Sequence, residues 1–374
     1  MTPIRQPRWA VKVGGKLAVG VVSITLTTNV MFTADTFQVI LAASAKPLGM
    51  DWPAWVVAMY DDVEVYAGFP ADPLHWTADE LPMIFFGESD SIEVDPVADT
   101  ITLTGRDLTA RFIDKKVIAK FPNLTPSQIA AQFAAEYGMQ TEITPTTTKA
   151  GRFYQIDHVR MSTTETQWDL LTFLAQQLNW DCYVFGKTLY FGPKPAPNTN
   201  VFVIQAPTGK PQETTNVIGI QFARSFTVAR DVIVQVRSWN TRFAKGFTKT
   251  AKSSFSVKTP LVGQEGGVSP GDAGNAQIYS YTIPRLTPNQ ALQKAQALLE
   301  QITRHELRVQ IQMAGDVVPG KAQPIRIHGS GSIFDQHYWP FQITRTMQTS
   351  PNGADEFSME IHAKNHSPQS VVLA

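Results

Sequence analysis

Apolar residues recur with a period of two over residues 22–103. Val22, Ile24 and Leu26 alternate with Ser23, Thr25 and Thr27, and Phe37, Val39 and Leu41 repeat the pattern. Val63, Val65 and Ala67 alternate with Glu64 and Tyr66, and the pairs Ile92/Val94 and Ile101/Leu103 follow. A strand sends successive side chains to opposite faces, so this period buries one face and wets the other. Enrichment in Val, Ile, Thr and Phe, punctuated by Gly, Pro and Asp, marks half-buried antiparallel strands. Several such strands in succession imply a barrel or a sandwich.

The pattern changes at Gly105. Thr125-Pro126-Ser127-Gln128 has the form of a helix start: Thr as N-cap, Pro at the first helical position and Gln at the third. Ile129, Phe133 and Tyr137 form the apolar face of that helix, and Gly138 stops it. A second box, Thr164-Glu165-Thr166-Gln167, opens a helix through Trp168, Leu171, Leu174 and Leu178 that ends near Asn179. The strands Asp181–Phe185 and Thr188–Phe191 follow, joined by Gly186-Lys187 as a two-residue hairpin loop. Pro193-Lys194-Pro195-Ala196-Pro197 reads as a stiff linker.

Strand character then returns at Val217–Ile220 and Val232–Val236. It returns again at Leu307–Met313, Ile325–His328, Tyr338–Met347 and Phe357–His362. Residues 241–275, rich in Gly, Ser, Lys and Thr without periodicity, are expected to be a long loop. A helix is expected over 288–303 behind Thr287-Pro288-Asn289-Gln290. The expected division is therefore 1–112 β, 113–195 α+β and 196–374 β, a mainly β chain with an α+β insertion. A length of 374 residues suits two or three domains.

Composition bounds the function classes. An apolar fraction of 43% can fill cores and excludes wholesale disorder. The net charge of zero suits a chain covered by neighbours, because nothing keeps free copies apart. That zero is a sum of unlike parts. Pro47–Gly105 holds twelve acids and no Lys or Arg, leaving +12 on the remainder. Arg224–Lys258 holds eight basic residues (Arg224, Arg230, Arg237, Arg242, Lys245, Lys249, Lys252 and Lys258) and one acid. Cys182, the single cysteine, excludes a disulfide framework and a Cys-rich metal site, and its apolar run suits a buried thiol. No secretory signal and no membrane anchor are expected, since no apolar stretch approaches the length of a span.

Motifs for chemistry are sparse, and no cofactor is implied. Gly263–Gly267 lacks the Lys-Ser/Thr of a phosphate loop, and no Ser stands in a Gly-x-Ser-x-Gly elbow. His362 and His366 stand at i and i+4, the zinc-chelating spacing of a helix, but they follow a strand. Asp61-Asp62 near Trp52, Trp55 and Trp76 leaves open a wall-acting or carbohydrate-binding protein. Arg224–Lys258, with Phe226, Trp239, Phe243, Phe247 and Phe255 interleaved, leaves open a nucleic-acid groove.

Four stretches together carry a family likeness. One is Ile101-Thr102-Leu103-Thr104-Gly105-Arg106-Asp107-Leu108, followed by Phe112-Ile113-Asp114. Another is the helix after Leu124-Thr125-Pro126, with its Phe133–Gly138 ending. The third is Glu165–Ala175 leading into Tyr183–Phe191, and the last is Ile325–Met347 with its Gly-rich turn before Tyr338–Ile343. With the β, α+β, β order, they make the chain resemble the central hub proteins of phage tail baseplates, the late-control D family. It is also similar to the hub-like first part of type VI secretion spike proteins.

That resemblance implies two tail-tube-like antiparallel β-barrel domains flanking a small α+β domain, in a structural virion protein with no enzymatic motif. It implies a homotrimer whose six barrels form a ring between the tail tube protein and a central spike protein, beside other baseplate proteins. The baseplate would be assembled in the bacterial host cytoplasm. No C-terminal spike repeat is evident, so the hub alone is expected. Genomic DNA would pass through the ring without specific binding, since acidic walls repel phosphate. Asp61, Asp62, Glu64, Asp90 and Glu93 are the candidates for such a lumen, outer loops being the alternative. The basic segment would then meet an acidic neighbouring subunit.

Overall fold

The computed structural model describes residues 6–30, 32–57, 62–117, 121, 124–147, 150, 166–194, 200–207, 215–224, 232–240, 245–252, 277–283, 286, 288–303, 307–350 and 355–365. The first part of the chain is β1 (Arg8–Val13), β2 (Lys16–Leu17), β3 (Val21–Asn29), β4 (Thr36–Ala42), α1 (Trp52–Val57), β5 (Val63–Gly68), β6 (Met83–Asp95) and β7 (Thr100–Asp107). The middle is α2 (Thr109–Asp114), α3 (Pro126–Glu136), β8 (Gln140–Ile143), α4 (Gln167–Leu178), β9 (Trp180–Phe185) and β10 (Thr188–Pro193). Then come β11 (Phe202–Gln205), β12 (Gly219–Arg224), β13 (Val232–Asn240), β14 (Lys245–Lys252), β15 (Gln277–Thr282) and α5 (Pro288–Thr303). The last strands are β16 (Leu307–Ala314), β17 (Ile325–His328), β18 (His337–Gln348) and β19 (Glu356–Lys364). The chain is mainly β, as expected.

Two compact units divide it. The first comprises Met1–Pro195, Gln312–Ala322 and Phe341–Ile361. Its main sheet runs β18-β3-β4-β7-β6-β5-β1-β2, and neighbouring strands in it pair antiparallel. The period-two residues fill one face: Ile24, Leu26, Phe37, Val39, Leu41, Val63, Val65, Ile101 and Leu103 are all buried in one core. Val22 departs from the pattern and is exposed. It is the extra residue of a β-bulge between Val21 and Ser23, where the alternation loses its phase.

A second core belongs to the α+β part, where Phe112, Ile129, Phe133, Leu171, Leu174, Val184, Leu189 and Phe191 pack together. The N-cap of α3 is as expected. Thr125 Oγ1 accepts from the Gln128 N–H at 3.3 Å while Gln128 Oε1 accepts from the Thr125 N–H at 2.9 Å. For α4 the expected box is corrected. The N-cap is Thr166, paired with Asp169: the carboxylate accepts from the Thr166 N–H at 2.9 Å and its hydroxyl at 2.8 Å. A carboxylate there also meets the positive end of the helix dipole, which a Gln cannot match. Asn179 caps the other end at φ +57°. The Gly186-Lys187 hairpin forms as expected, with Phe185 facing Thr188 and Gly186 at φ +57°.

The second unit comprises Ala196–Ile311, Gln323–Pro340 and His362–Ala374. Within it β13 pairs antiparallel with β14 and parallel with β15, and α5 covers one face of these strands. The helix expected over 288–303 is α5. The loop expected over 241–275 is corrected, because Lys245–Lys252 is a strand; residues 253–276 lie outside the described ones. Lys-Gly-Phe-Thr-Lys-Thr-Ala-Lys carries little apolar signal of its own. It is held at the sheet edge by β13, and lysines suit an edge that must not recruit further strands. Parallel pairs also join β8 to β10 and β11 to β17, so the sheets are not purely antiparallel.

Candidate functional site

The acidic candidates fall into different settings. Asp61 lies outside the described residues. Asp62 sits 3.9 Å from Lys187 Nζ. Glu64, on β5, accepts a 2.6 Å hydrogen bond from the Tyr66 hydroxyl, and that bond holds the Tyr66 phenol above its usual pKa. Asp90 is the extra residue of a bulge between Ser89 and Ser91 on β6. There Arg106 grips it through Nε at 2.6 Å and Nη2 at 2.8 Å, while also reaching Asp114 at 3.1 Å. Glu93 is exposed and opposite Thr102.

Registers across β18, β3, β4, β7 and β6 define the face around Glu93. Thr344 and Thr346 face Thr27 and Thr25, which face Thr36 and Gln38. Gln38 and Ile40 then face Thr104 and Thr102, which face Ser91 and Glu93. Pairing partners in an antiparallel sheet share a face. The side opposite the apolar core is therefore a broad hydroxyl-rich surface, with Glu93 and Asp95 at its β6 side and Arg106 at one end.

The Gly-Arg-Asp triplet now has a physical account. A Cβ on Gly105 would lie 2.0 Å from the Glu88 carbonyl oxygen and 2.7 Å from the Phe37 ring, so only glycine fits against the bulge. Arg106 ties that bulge to α2. Asp107 turns inward and accepts from the Thr109 N–H at 3.2 Å.

Asp107 belongs to a buried charge cluster that the sequence did not disclose. Lys321 Nζ lies 2.8 Å from Asp35 and 3.5 Å from Asp107, the side chains of all three being at most 7% exposed. The same ammonium donates to the Val184 carbonyl at 3.1 Å. Arg345, also buried, donates to the carbonyls of Asp316 at 2.8 Å and Pro319 at 2.5 Å. Burial pushes the Asp107 carboxyl up to about 7 against the pull of Lys321, and it raises Asp35 as well. Burial works against the Lys321 charge, but the two carboxylates outweigh it and hold Lys321 above its ordinary value. Burial also lowers Arg345 to about 10. The Gly-Arg-Asp triplet was the one available signal for this cluster, and nothing marked Lys321.

On the basic side, Arg230, Arg242 and Lys258 lie outside the described residues. Arg224 ends β12, and Lys245, Lys249 and Lys252 are on β14. Arg237 is exposed on β13, opposite Thr248. Trp239 lies over Gly246, whose Cβ would meet the indole at 2.9 Å, and it remains half exposed. The face bearing Arg237 and Trp239 also carries Lys252, Ile233 and Ile278 in one row.

Of the three tryptophans near Asp61-Asp62, Trp55 is fully buried and donates to the Pro47 carbonyl at 3.1 Å, so it offers no platform to a sugar ring, whereas Trp52 is exposed and Trp76 half-buried. Cys182 is buried, and burial pushes its thiol far up. His362 is on strand β19 rather than a helix, and no metal-holding cluster occurs among the described residues.

The chain thus has two β-rich units and an α+β part with its own core. Its fold is that of tail proteins. The chain is similar to the tail protein from Neisseria meningitidis MC58, with TM-score 0.64 and 12% identity over 98% of this chain and 99% of that one. It is similar to the 43 kDa tail protein of prophage MuSo2 from Shewanella oneidensis, with TM-score 0.61 and 14% identity over 97% and 99%. A third likeness, TM-score 0.53 and 11% identity over 97% and 79%, is to an Escherichia coli type VI secretion component described as structurally similar to T4 bacteriophage tail proteins. No protein-family model matches the sequence, and no curated protein sequence matches it. The hub-like fold implied by the resemblance is thus borne out by structures at low sequence identity.

Proposed function

We propose that the chain is a structural virion protein, the central hub of a tail baseplate, and not an enzyme. One observation carries the reading: the likeness to the Neisseria tail protein takes in 98% of this chain and 99% of that one. A likeness of that extent concerns the whole organisation rather than one shared module. On this reading the chain is a homotrimer with three parts per subunit, 1–112, 113–195 and 196–374, Gln312–Ala322 and Phe341–Ile361 of the last belonging to the first compact unit. Closed symmetry makes a ring from few contacts, and two barrels per chain give it six-fold character. The ring joins the tail tube protein to the central spike protein, with other baseplate proteins around it, in a virion tail assembled in the host cytoplasm.

Genomic DNA passes through this ring unbound. The hydroxyl-rich face with Glu93 and Asp95 supports that role, since it offers phosphate few cations. Of the five candidate lumen acids, Glu93 is the best suited. Asp62, Glu64 and Asp90 are engaged by Lys187, Tyr66 and Arg106. The face of β13 and β14 that carries Arg237 and Lys252 meets an acidic neighbouring subunit.

Light scattering of the purified chain tests the reading, with negative-stain electron microscopy beside it. A trimer mass and a ring with a central hole are expected. A stable monomer at working concentration overturns the hub.

A further inference from the structure

Two buried carboxylates sharing one buried ammonium is an arrangement that the hub reading does not use. Lys321 lies in the stretch Gly315–Ala322 that follows β16. From there it reaches Asp35 before β4, Asp107 at the end of β7 and the Val184 carbonyl on β9. Arg345 on β18 holds the same stretch by the carbonyls of Asp316, Val317 and Pro319. Two cations thus fasten one segment to four strands of the first unit.

We propose that the Asp35–Lys321–Asp107 cluster is a proton-responsive latch. It fastens Gly315–Ala322 to the ends of β4, β7 and β9, and it holds more firmly when the cluster gains a proton. The groups that face it are Asp35, Asp107, Lys321 and Arg345, with Asp316 on the fastened segment and Tyr183 and Cys182 on β9. The Tyr183 ring lies 5.6 Å from Lys321 Nζ. Lys321 and Arg345 keep their charge at neutral pH, and burial keeps the Cys182 thiol and the Tyr183 phenol protonated. Asp35 is the nearer partner of Lys321, at 2.8 Å against 3.5 Å. The proton is therefore shared by the Asp35–Asp107 pair, burial raising both carboxyls and carrying Asp107 up to about 7 from the ordinary 3.8. The stabilisation is therefore complete below about pH 4 and is lost as pH rises through 7. With both carboxylates ionised, Asp107 stays buried at 3.5 Å from the ammonium that Asp35 meets at 2.8 Å, and a buried charge so loosely paired is costly.

The thermal midpoint of the full-length protein between pH 5.5 and 8.5 tests the latch. Backbone amide exchange in residues 315–322 supplies the local reading. For the wild type, the folded-to-unfolded ratio is expected to fall roughly tenfold per pH unit up to about pH 7, and amide protection to fall with it. Asp107→Asn keeps an acceptor for the Thr109 N–H and should flatten both responses. Surface Asp79→Asn should leave both as they are. Lys321→Met, with the cation removed, should extend the loss to higher pH; if it does not fold, Asp107→Asn decides alone. An Asp107→Asn variant that retains the wild-type pH response overturns the proposal, as does pH-independent protection of 315–322. Neither outcome depends on whether the chain forms a hub.

Discussion

Gly105 and Asp107 lie two residues apart on one strand and answer to different constraints. At Gly105 the constraint is space, because the Glu88 carbonyl of the bulged neighbour occupies the position a Cβ would take. Gly105→Ala is expected to cost about 1–3 kcal/mol, read as a lowered denaturation midpoint, since β6 must shift away. At Asp107 the constraint is charge, and its partner Lys321 lies more than two hundred residues away. The neighbours of Asp107 in the chain mark a strand ending in a helix start. They carry no sign of a buried ammonium, because a lone Lys321 beside a Gly reads as an ordinary surface loop.

Elements were legible where the signal is local. The α3 cap, the Gly186-Lys187 hairpin and the helix Pro288–Thr303 all follow from residues within one or two turns of each other. Thr125→Ala should therefore destabilise by about 1 kcal/mol, seen as a small drop in the thermal midpoint, with the fold intact. Two elements were misread, for different reasons. The N-cap of α4 is Thr166, and its partner Asp169 stands beyond the Thr164–Gln167 box. Strand β14 has no apolar rhythm, and its conformation is imposed by β13 alongside it. The parallel pairing of β13 with β15 was likewise invisible, since pairing direction depends on how the chain returns and not on what the strands contain.

For the whole molecule, the charge division matters more than its zero sum. Five of the twelve acids of Pro47–Gly105 pair with a Lys or Arg among the described residues: Asp51 with Lys46, Asp62 with Lys187, Asp79 with Lys12, Glu88 with Arg111 and Asp90 with Arg106. What remains on the hydroxyl-rich face is Glu93 with Asp95, whose carboxylate accepts from the Val97 and Ala98 N–H groups of the adjoining turn. If that face lines a DNA path, Glu93→Lys should create salt-sensitive DNA binding where the wild type has little, measured by filter binding at low and high salt. Equal, weak binding by both would place Glu93 elsewhere.

The amino-acid sequence by itself determined that the chain is mainly β with an α+β insertion, because strand and helix periods are written in neighbouring residues. It also held the motifs whose joint likeness pointed to a hub fold. Only the tertiary structure decided which acids stay unpaired, where strands run parallel, and that Asp35, Lys321 and Asp107 meet. Those outcomes depend on distances between residues far apart in the chain, which packing alone sets.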